Sequence, residues 1–143
     1  LRADIERLNL KDHIRLIPER EDIRWLMEFA DLGIVSSVES EVICRVAVEF
    51  FSVATPVVAF PTGCLPEIIQ HEQNGMLAKN KTTEALVEEM RIVLSNPGLS
   101  ERLSRGARKD AEVRFNPQIM LDQTLKVFKQ VLDIAKAKSG NFS

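Results

Sequence analysis

The fold is decided by the stretch from Glu39 to Pro66, whose sequence is ESEVICRVAVEFFSVATPVVAFPTGCLP. An apolar run just before it, Leu32 to Val35, predicts a buried strand that ends at a polar loop. Apolar residues at helical spacing from Ile43 to Ala54 predict a helix, which Pro56 stops. The residues predicted to form its buried face are Ile43, Val46, Ala47, Phe50, Phe51 and Ala54. The apolar run from Pro56 to Phe60 predicts a second buried strand, and strand, helix and strand together indicate a βαβ unit of a parallel sheet.

The remaining elements continue this α/β pattern. Helices are predicted at residues 2–10, 21–30, 82–94, 99–113 and 119–137, and strands at residues 14–17 and 76–78. The chain opens on a helix with no strand before it, which predicts that one or more N-terminal βα units are missing. We therefore expect a partial Rossmann-like domain over residues 1–115, with helices flanking a parallel sheet, and a C-terminal helix with a frayed tail over residues 116–143.

Composition is that of an ordinary soluble domain. The chain has 143 residues, of which 45% are apolar and 28% charged, enough for one domain with a real core. No apolar run approaches the roughly 20 residues that cross a bilayer, and no secretory signal opens the sequence. The two cysteines, Cys44 and Cys64, have neither metal-ligand nor redox spacing. We expect reduced thiols and a cytoplasmic location.

Charge is distributed unevenly along the chain. Residues 1–78 carry seven basic and thirteen acidic side chains, whereas residues 79–143 carry twelve basic and eight acidic ones. A basic half is compatible with contact to phosphate, nucleic acid, an anionic membrane surface or an acidic partner. Because the charges are interspersed, solvated helix faces are the favoured interpretation, and peripheral membrane contact stays open as an alternative.

Several site chemistries lack support in the sequence. Neither phosphate-loop nor dinucleotide-binding glycine motifs occur. The two histidines, His13 and His71, have no partner at metal-ligand spacing, so we expect no metal site. Aromatic residues make up 6% of the chain and are not interleaved with lysines, so nucleic-acid binding is not expected.

Two carboxylates stand out in the βαβ unit. Glu41 precedes the predicted helix and Glu49 follows eight positions later, a separation of ~12 Å along a helix axis. A nucleoside diphosphate sugar laid over the helix N-terminus spans a comparable distance, with its phosphates on backbone amides and a carboxylate at each end. The structural alternative makes Glu41 a first-turn acid and pairs Glu49 with Arg45 one turn earlier.

The chain resembles retaining GT-B glycosyltransferases of family four, also called glycosyltransferase group 1. That family has an E-x7-E motif, here Glu41 to Glu49, and then a G-x-P-V-V-A strand, here A-T-P-V-V-A at residues 54–59. A G-G-x-P-E loop corresponds to T-G-C-L-P-E at residues 62–67, and an N-G turn to Asn74-Gly75. These four elements occur in the family's order and spacing, and the resemblance covers nearly the whole chain.

The resemblance implies a nucleotide-sugar site. Glu41 would contact the donor sugar and is the predicted catalytic residue, and Glu49 would contact the ribose. The other predicted donor-binding residues are Val42, Ile43 and Cys44 beside the phosphates, Gly63 and Leu65 beside the sugar, and Pro18, Glu19 and Arg20 beside the nucleobase. The family usually has Gly-Phe-Gly at residues 42–44, so this chain departs from it there.

The implied function is donor binding in a retaining glycosyltransferase that moves a hexose from a nucleoside diphosphate sugar to an acceptor, without metal or cofactor. The family's diphosphate-gripping Arg and Lys and its acceptor-binding N-terminal domain precede this sequence, so we expect the chain alone to be inactive. The final helix would reach toward that domain, and its exposed apolar stripe would favour self-association. The alternative is a non-catalytic nucleotide- or sugar-binding module.

Overall fold

The computed structural model describes residues 1–139 of the chain. Three strands lie among seven helices in this part of the sequence. The strands are β1 (Gly33–Val35), β2 (Val57–Ala59) and β3 (Gly75–Leu77); the helices are α1 (Arg2–Arg7), α2 (Ile23–Phe29), α3 (Arg45–Ser52), α4 (Leu65–Ile68), α5 (Thr83–Ser95), α6 (Pro97–Val113) and α7 (Pro117–Ser139).

The three strands form a parallel sheet in the order β1-β2-β3. Gly33 pairs with Val57 at one end of the first ladder, and Val57 pairs with Gly75 in the second. Every residue of β2 is fully buried, as expected of a parallel strand that helices cover on both faces. The sheet confirms the predicted α/β, Rossmann-like class.

Side chains of β2 divide the core between two faces. Val57 and Ala59 belong to a cluster with residues of α3, α4 and α6. Val58 belongs to a second cluster with residues of α5 and of the first half of α6. Because successive strand side chains point to opposite faces, one short strand anchors both layers. Helix α3, which carries Glu49, is thereby packed against the buried centre of the domain.

A tight turn joins α3 to β2. The Thr55 N–H donates to the carbonyl of Phe50 and the Ala54 N–H donates to Phe51, each at 3.0 Å. These bonds form a Schellman cap, which requires a left-handed residue after the helix. Ala54 occupies that position with φ +61°, where the motif of the family that the sequence resembles has glycine. The Thr55 hydroxyl then donates to the Met27 carbonyl at 2.8 Å, which fastens the turn to α2.

Three details of the sequence-based prediction are wrong. Residues 14–17 form no strand, and Ile14, Leu16 and Ile17 are exposed, because no strand among residues 1–139 pairs with this segment. Helix α3 begins only at Arg45, which leaves Ile43 in the preceding loop, 76% exposed. Val46 lies on an exposed rather than a buried face of α3.

Candidate functional site

The loops that follow the three strands meet at the carboxyl edge of the sheet, where ligands of parallel sheets usually bind. The loop between β1 and α3 is held from two sides. Lys81, which follows β3, donates from Nζ to the Val38 carbonyl at 2.9 Å. Cys64, which follows β2, donates its N–H to the Glu41 carbonyl at 2.9 Å. The first residue of the E-x7-E motif is therefore fixed by its backbone.

Gly63 makes this attachment sterically feasible. Its φ is +54°, and a Cβ atom added there would overlap the carbonyl oxygen of Glu41. A left-handed backbone and a close approach of two backbones both favour glycine. The sequence predicted Gly63 beside a ligand, and the structure places it against the Glu41 backbone.

The two cysteines lie side by side, a contact that sequence spacing did not predict. The Cys44 N–H donates to Sγ of Cys64 at 3.3 Å, and both thiols are free. Burial raises the pKa of the Cys44 thiol, and the negative charge of the nearby Glu41 carboxylate adds to the rise. One backbone amide of the segment predicted to face the phosphates is therefore already engaged by a sulfur atom.

A groove of about 590 Å³ opens beside the N-terminus of α3. Its lining includes Val42, Ile43, Cys44 and Glu49, together with Cys64 and residues of the α6–α7 junction. Val42 and Ile43 are 80% and 76% exposed. The structure therefore gathers four predicted donor-binding residues around one space large enough for part of a nucleotide sugar.

The position of Glu49 fits both of its predicted roles, the ion pair with Arg45 and the contact with a ligand. Its carboxylate lies 3.8 Å from the Arg45 guanidinium, as the structural alternative requires, and its side chain is 46% exposed. A surface ion pair of this kind stabilises by less than about 1 kcal/mol, so a ligand hydroxyl can replace it at little cost. Glu41 is half-buried. Neither carboxylate is sealed in the interior, and Glu49 lines the groove.

The part of the groove lining at the end of α6 is held by a polar network that the sequence analysis did not predict. Arg114 donates to the Glu67 carbonyl and to the Asp110 carboxylate, each at 2.6 Å. Its guanidinium lies 4.9 Å from the centre of the Phe115 ring, close enough for a cation–π contact. Asp110 also accepts from the buried amide of Asn74 at 2.6 Å. These contacts tie the end of α6 to α4 and to the start of β3.

The other predicted site residues lie elsewhere. Pro18, Glu19 and Arg20 form an exposed segment before α2 and do not line the groove. A two-pronged hydrogen bond at 2.6 Å joins Arg20 to Asp22, and it raises the pKa of Arg20 and lowers that of Asp22. Leu65 has no exposed surface, so it supports the Gly63–Cys64 turn from within the core.

Two features are absent from the described residues. No described helix is both long and apolar enough to cross a membrane. No group of three or more His, Cys, Asp or Glu side chains in residues 1–139 is arranged to hold a metal ion.

Solved structures with the same fold include two at 26% identity. A glycosyltransferase from Rickettsia africae matches with a TM-score of 0.85, over 92% of this chain and 35% of that one. HepE from Anabaena, solved in complex with UDP-glucose, matches with a TM-score of 0.83, over 90% of this chain and 35% of that one. The fold is therefore the Rossmann-like fold of GT-B glycosyltransferases.

Similar sequences agree with the structural matches. An uncharacterized glycosyltransferase of Methanocaldococcus jannaschii is 30% identical over 80% of this chain and 29% of its own length. A D-inositol 3-phosphate glycosyltransferase of Saccharomonospora viridis is 31% identical over 87% of this chain and 29% of its own length. The chain thus spans about a third of the relatives it matches. The model of the family described as glycosyl transferases group 1 matches residues 1–110, and the chain belongs to that family.

Proposed function

We propose that this chain is the donor-binding part of a retaining glycosyltransferase that moves a hexose from a nucleoside diphosphate sugar to an acceptor. The observation that carries the proposal is the groove that brings Glu49 together with the loop leading into α3. A carboxylate beside an exposed backbone segment matches a ligand that has hydroxyls next to a diphosphate.

Each group would have a distinct task. Glu49 would accept hydrogen bonds from ribose hydroxyls, and the backbone N–H groups of Val42 and Ile43 would face the diphosphate. Fixed N–H donors stabilise the charge that develops on a leaving diphosphate. Glu41 would accept from hydroxyls of the hexose, near the carbon where positive charge develops. The Cys44 N–H would join the phosphate contacts only when Sγ of Cys64 moves away.

The remaining parts of the proposal rest on the resemblance and on the relatives. UDP-glucose is the first donor to test because a structural relative binds it.

The acceptor domain and the diphosphate-gripping Arg and Lys would come from the part of the relatives that this chain does not span. We expect the isolated chain to bind donor weakly and not to transfer sugar. Cytoplasmic location and peripheral membrane contact stay predictions.

Calorimetry with UDP-glucose and UDP separates the roles of the two glutamates. Glu49→Gln should weaken binding of both ligands about tenfold, because both contain the ribose and the loss of a charged hydrogen bond costs ~1.4 kcal/mol or more. Glu41→Gln should weaken the binding of UDP-glucose but not that of UDP. Glu88→Gln, on an exposed face of α5, is the control. Equal affinities for Glu49→Gln and Glu88→Gln would contradict the proposed donor site.

A non-catalytic nucleotide- or sugar-binding module is the second candidate. It is favoured by the bulkier Val42 and Cys44 at two positions where the resembled family usually has glycine, and by the Cys44 N–H, which already donates to Sγ of Cys64. Transfer assays on the complete protein with Glu41→Gln distinguish the two candidates. Turnover that this substitution abolishes supports the enzyme, whereas donor binding without turnover supports the module.

A further inference from the structure

We propose that Cys44 and Cys64 are an oxidisable dithiol, a modification site in the wall of the groove, where a low-molecular-weight disulfide converts the pair into an intramolecular disulfide. This inference goes beyond the proposed function, and its test needs no nucleotide or sugar. The chain has two cysteines in all. They are 20 residues apart in sequence, and the fold places both on the same groove.

Cys44 and Cys64 lie close to the separation that a disulfide bond requires. Sγ of Cys64 lies 3.3 Å from the backbone nitrogen of Cys44. Standard bond lengths then limit the distance between the two Cα atoms to roughly 7.5 Å, and disulfides usually span about 4.4–6.8 Å. The bond therefore needs side-chain rotation and at most a small shift of the Gly63–Cys64 turn. That turn is exposed at Gly63.

The environments of the two thiols assign them different roles. Cys64 is half-buried and lines the groove, so a small disulfide can reach its sulfur. Cys44 is only 2% exposed, and burial raises the pKa of its thiol. Thiolates rather than thiols attack disulfides, and attack also needs access. Cys64 is therefore the attacking residue, and Cys44 is the residue that resolves the mixed disulfide.

The reaction with oxidised glutathione balances in two exchanges. The Cys64 thiolate attacks one glutathione sulfur, the S–S bond of glutathione breaks, and one glutathione thiolate leaves. Cys44 loses its proton to solvent and attacks Sγ of Cys64, which expels the second glutathione thiolate. Two electrons pass from the protein to glutathione, and both glutathione thiolates take up protons. The product is one protein disulfide and two reduced glutathione molecules.

The test treats the full chain with oxidised glutathione and follows intact mass and alkylation by N-ethylmaleimide after unfolding. The wild type should lose two hydrogens, retain no glutathione, and lose both alkylation sites until dithiothreitol is added. Cys44→Ser, which removes the resolving thiol, should stop with one glutathione on Cys64. Cys64→Ser should not react, because Cys44 is buried.

Four outcomes would overturn the proposal. Three of them are a wild type that retains glutathione, one that keeps both thiols alkylatable under conditions in which Cys44→Ser is modified, and a wild type that forms disulfide-linked dimers. A wild type and a Cys44→Ser variant that both stay unmodified would also overturn it, because Cys64 would then be inaccessible.

Discussion

The carbonyl oxygen of Glu41 occupies the space that a Cβ atom on Gly63 would need. The same oxygen accepts the Cys64 N–H at 2.9 Å. The loops after β1 and β2 are thus in direct backbone contact, which is possible because residue 63 has no side chain. The first glutamate of the E-x7-E motif depends for its position on a residue 22 places later in the sequence.

Gly63→Ala should lower the free energy of unfolding by more than about 2 kcal/mol, because the new methyl group meets backbone and the φ of +54° is strained for alanine. Urea unfolding followed by circular dichroism measures the effect. Gly98→Ala is the matched control, since a Cβ there meets only Asn96 Oδ1, at 3.6 Å. It should leave stability unchanged or slightly raised. A Gly63→Ala protein as stable as Gly98→Ala would show that the two loops are not tightly fitted.

Ala54→Gly should raise the free energy of unfolding by about 1 kcal/mol. Ala54 has φ +61°, and a left-handed alanine costs about 1–2 kcal/mol, which exceeds the entropy that glycine loses on folding. Thermal and urea unfolding both measure the change. Ala85→Gly, inside α5, should act in the opposite direction by ~1 kcal/mol because glycine disfavours helix interiors. Destabilisation by both substitutions would mean that the cap after α3 is not strained.

The sequence predicted those helices and strands whose determining residues lie within the element itself. A helix was predicted to begin at residue 82, and the Thr82 hydroxyl does cap α5 by accepting the Ala85 N–H at 3.3 Å. The apolar run around Val57 and Val58 predicted the central strand because a fully buried parallel strand has no polar face. Pro97 begins α6 two residues before the predicted start, because proline suits the first position of a helix.

What the sequence could not predict depends on contacts between distant segments. The apolar segment from Ile14 to Ile17 resembles a strand, but composition does not say whether a neighbouring strand is present to pair with it. The Cys44–Cys64 contact joins loops after two different strands, so no spacing rule detects it. Arg114 looks like an ordinary helix-end cation, and only the fold shows that it binds the carbonyl of Glu67.

Asn74→Ala should cost about 2–4 kcal/mol of stability. Asn74 is 1% exposed; its amide donates to Ile68 and Asp110, and its oxygen accepts the Gln70 N–H. Alanine removes all three bonds and leaves their partly buried partners short of a hydrogen bond, which costs more than the bonds themselves contribute. Urea unfolding measures the loss. Asn80→Ala, an exposed asparagine, should cost less than ~1 kcal/mol. Comparable losses for both would show that the Asn74 network is not a major stabilising contact.

Stability should fall as the pH rises above about 9, in part because of Cys44. The pKa of its thiol is raised in the folded state above the ordinary value of 9.0. Both states are protonated at lower pH, so the difference has no effect there; the unfolded state loses its proton first as pH rises, which favours unfolding. Unfolding in reductant from about pH 7 to about pH 10 measures the slope. Cys44→Ala should flatten it, and Cys64→Ala should not. An equal slope in wild type and Cys44→Ala would contradict the assignment.

The isolated chain should self-associate through α7. Leu121, Leu125, Phe128 and Leu132 are 47%, 47%, 63% and 58% exposed, and their spacing follows the alternating four- and three-residue steps of a coiled-coil seam. Two such stripes packed together remove apolar surface from water. Phe128→Ser should weaken association measured by sedimentation velocity, whereas Gln130→Ser, which lies off the stripe, should not. A wild-type chain that stays monomeric at high concentration, or equal behaviour of the two variants, would contradict an interface along this stripe.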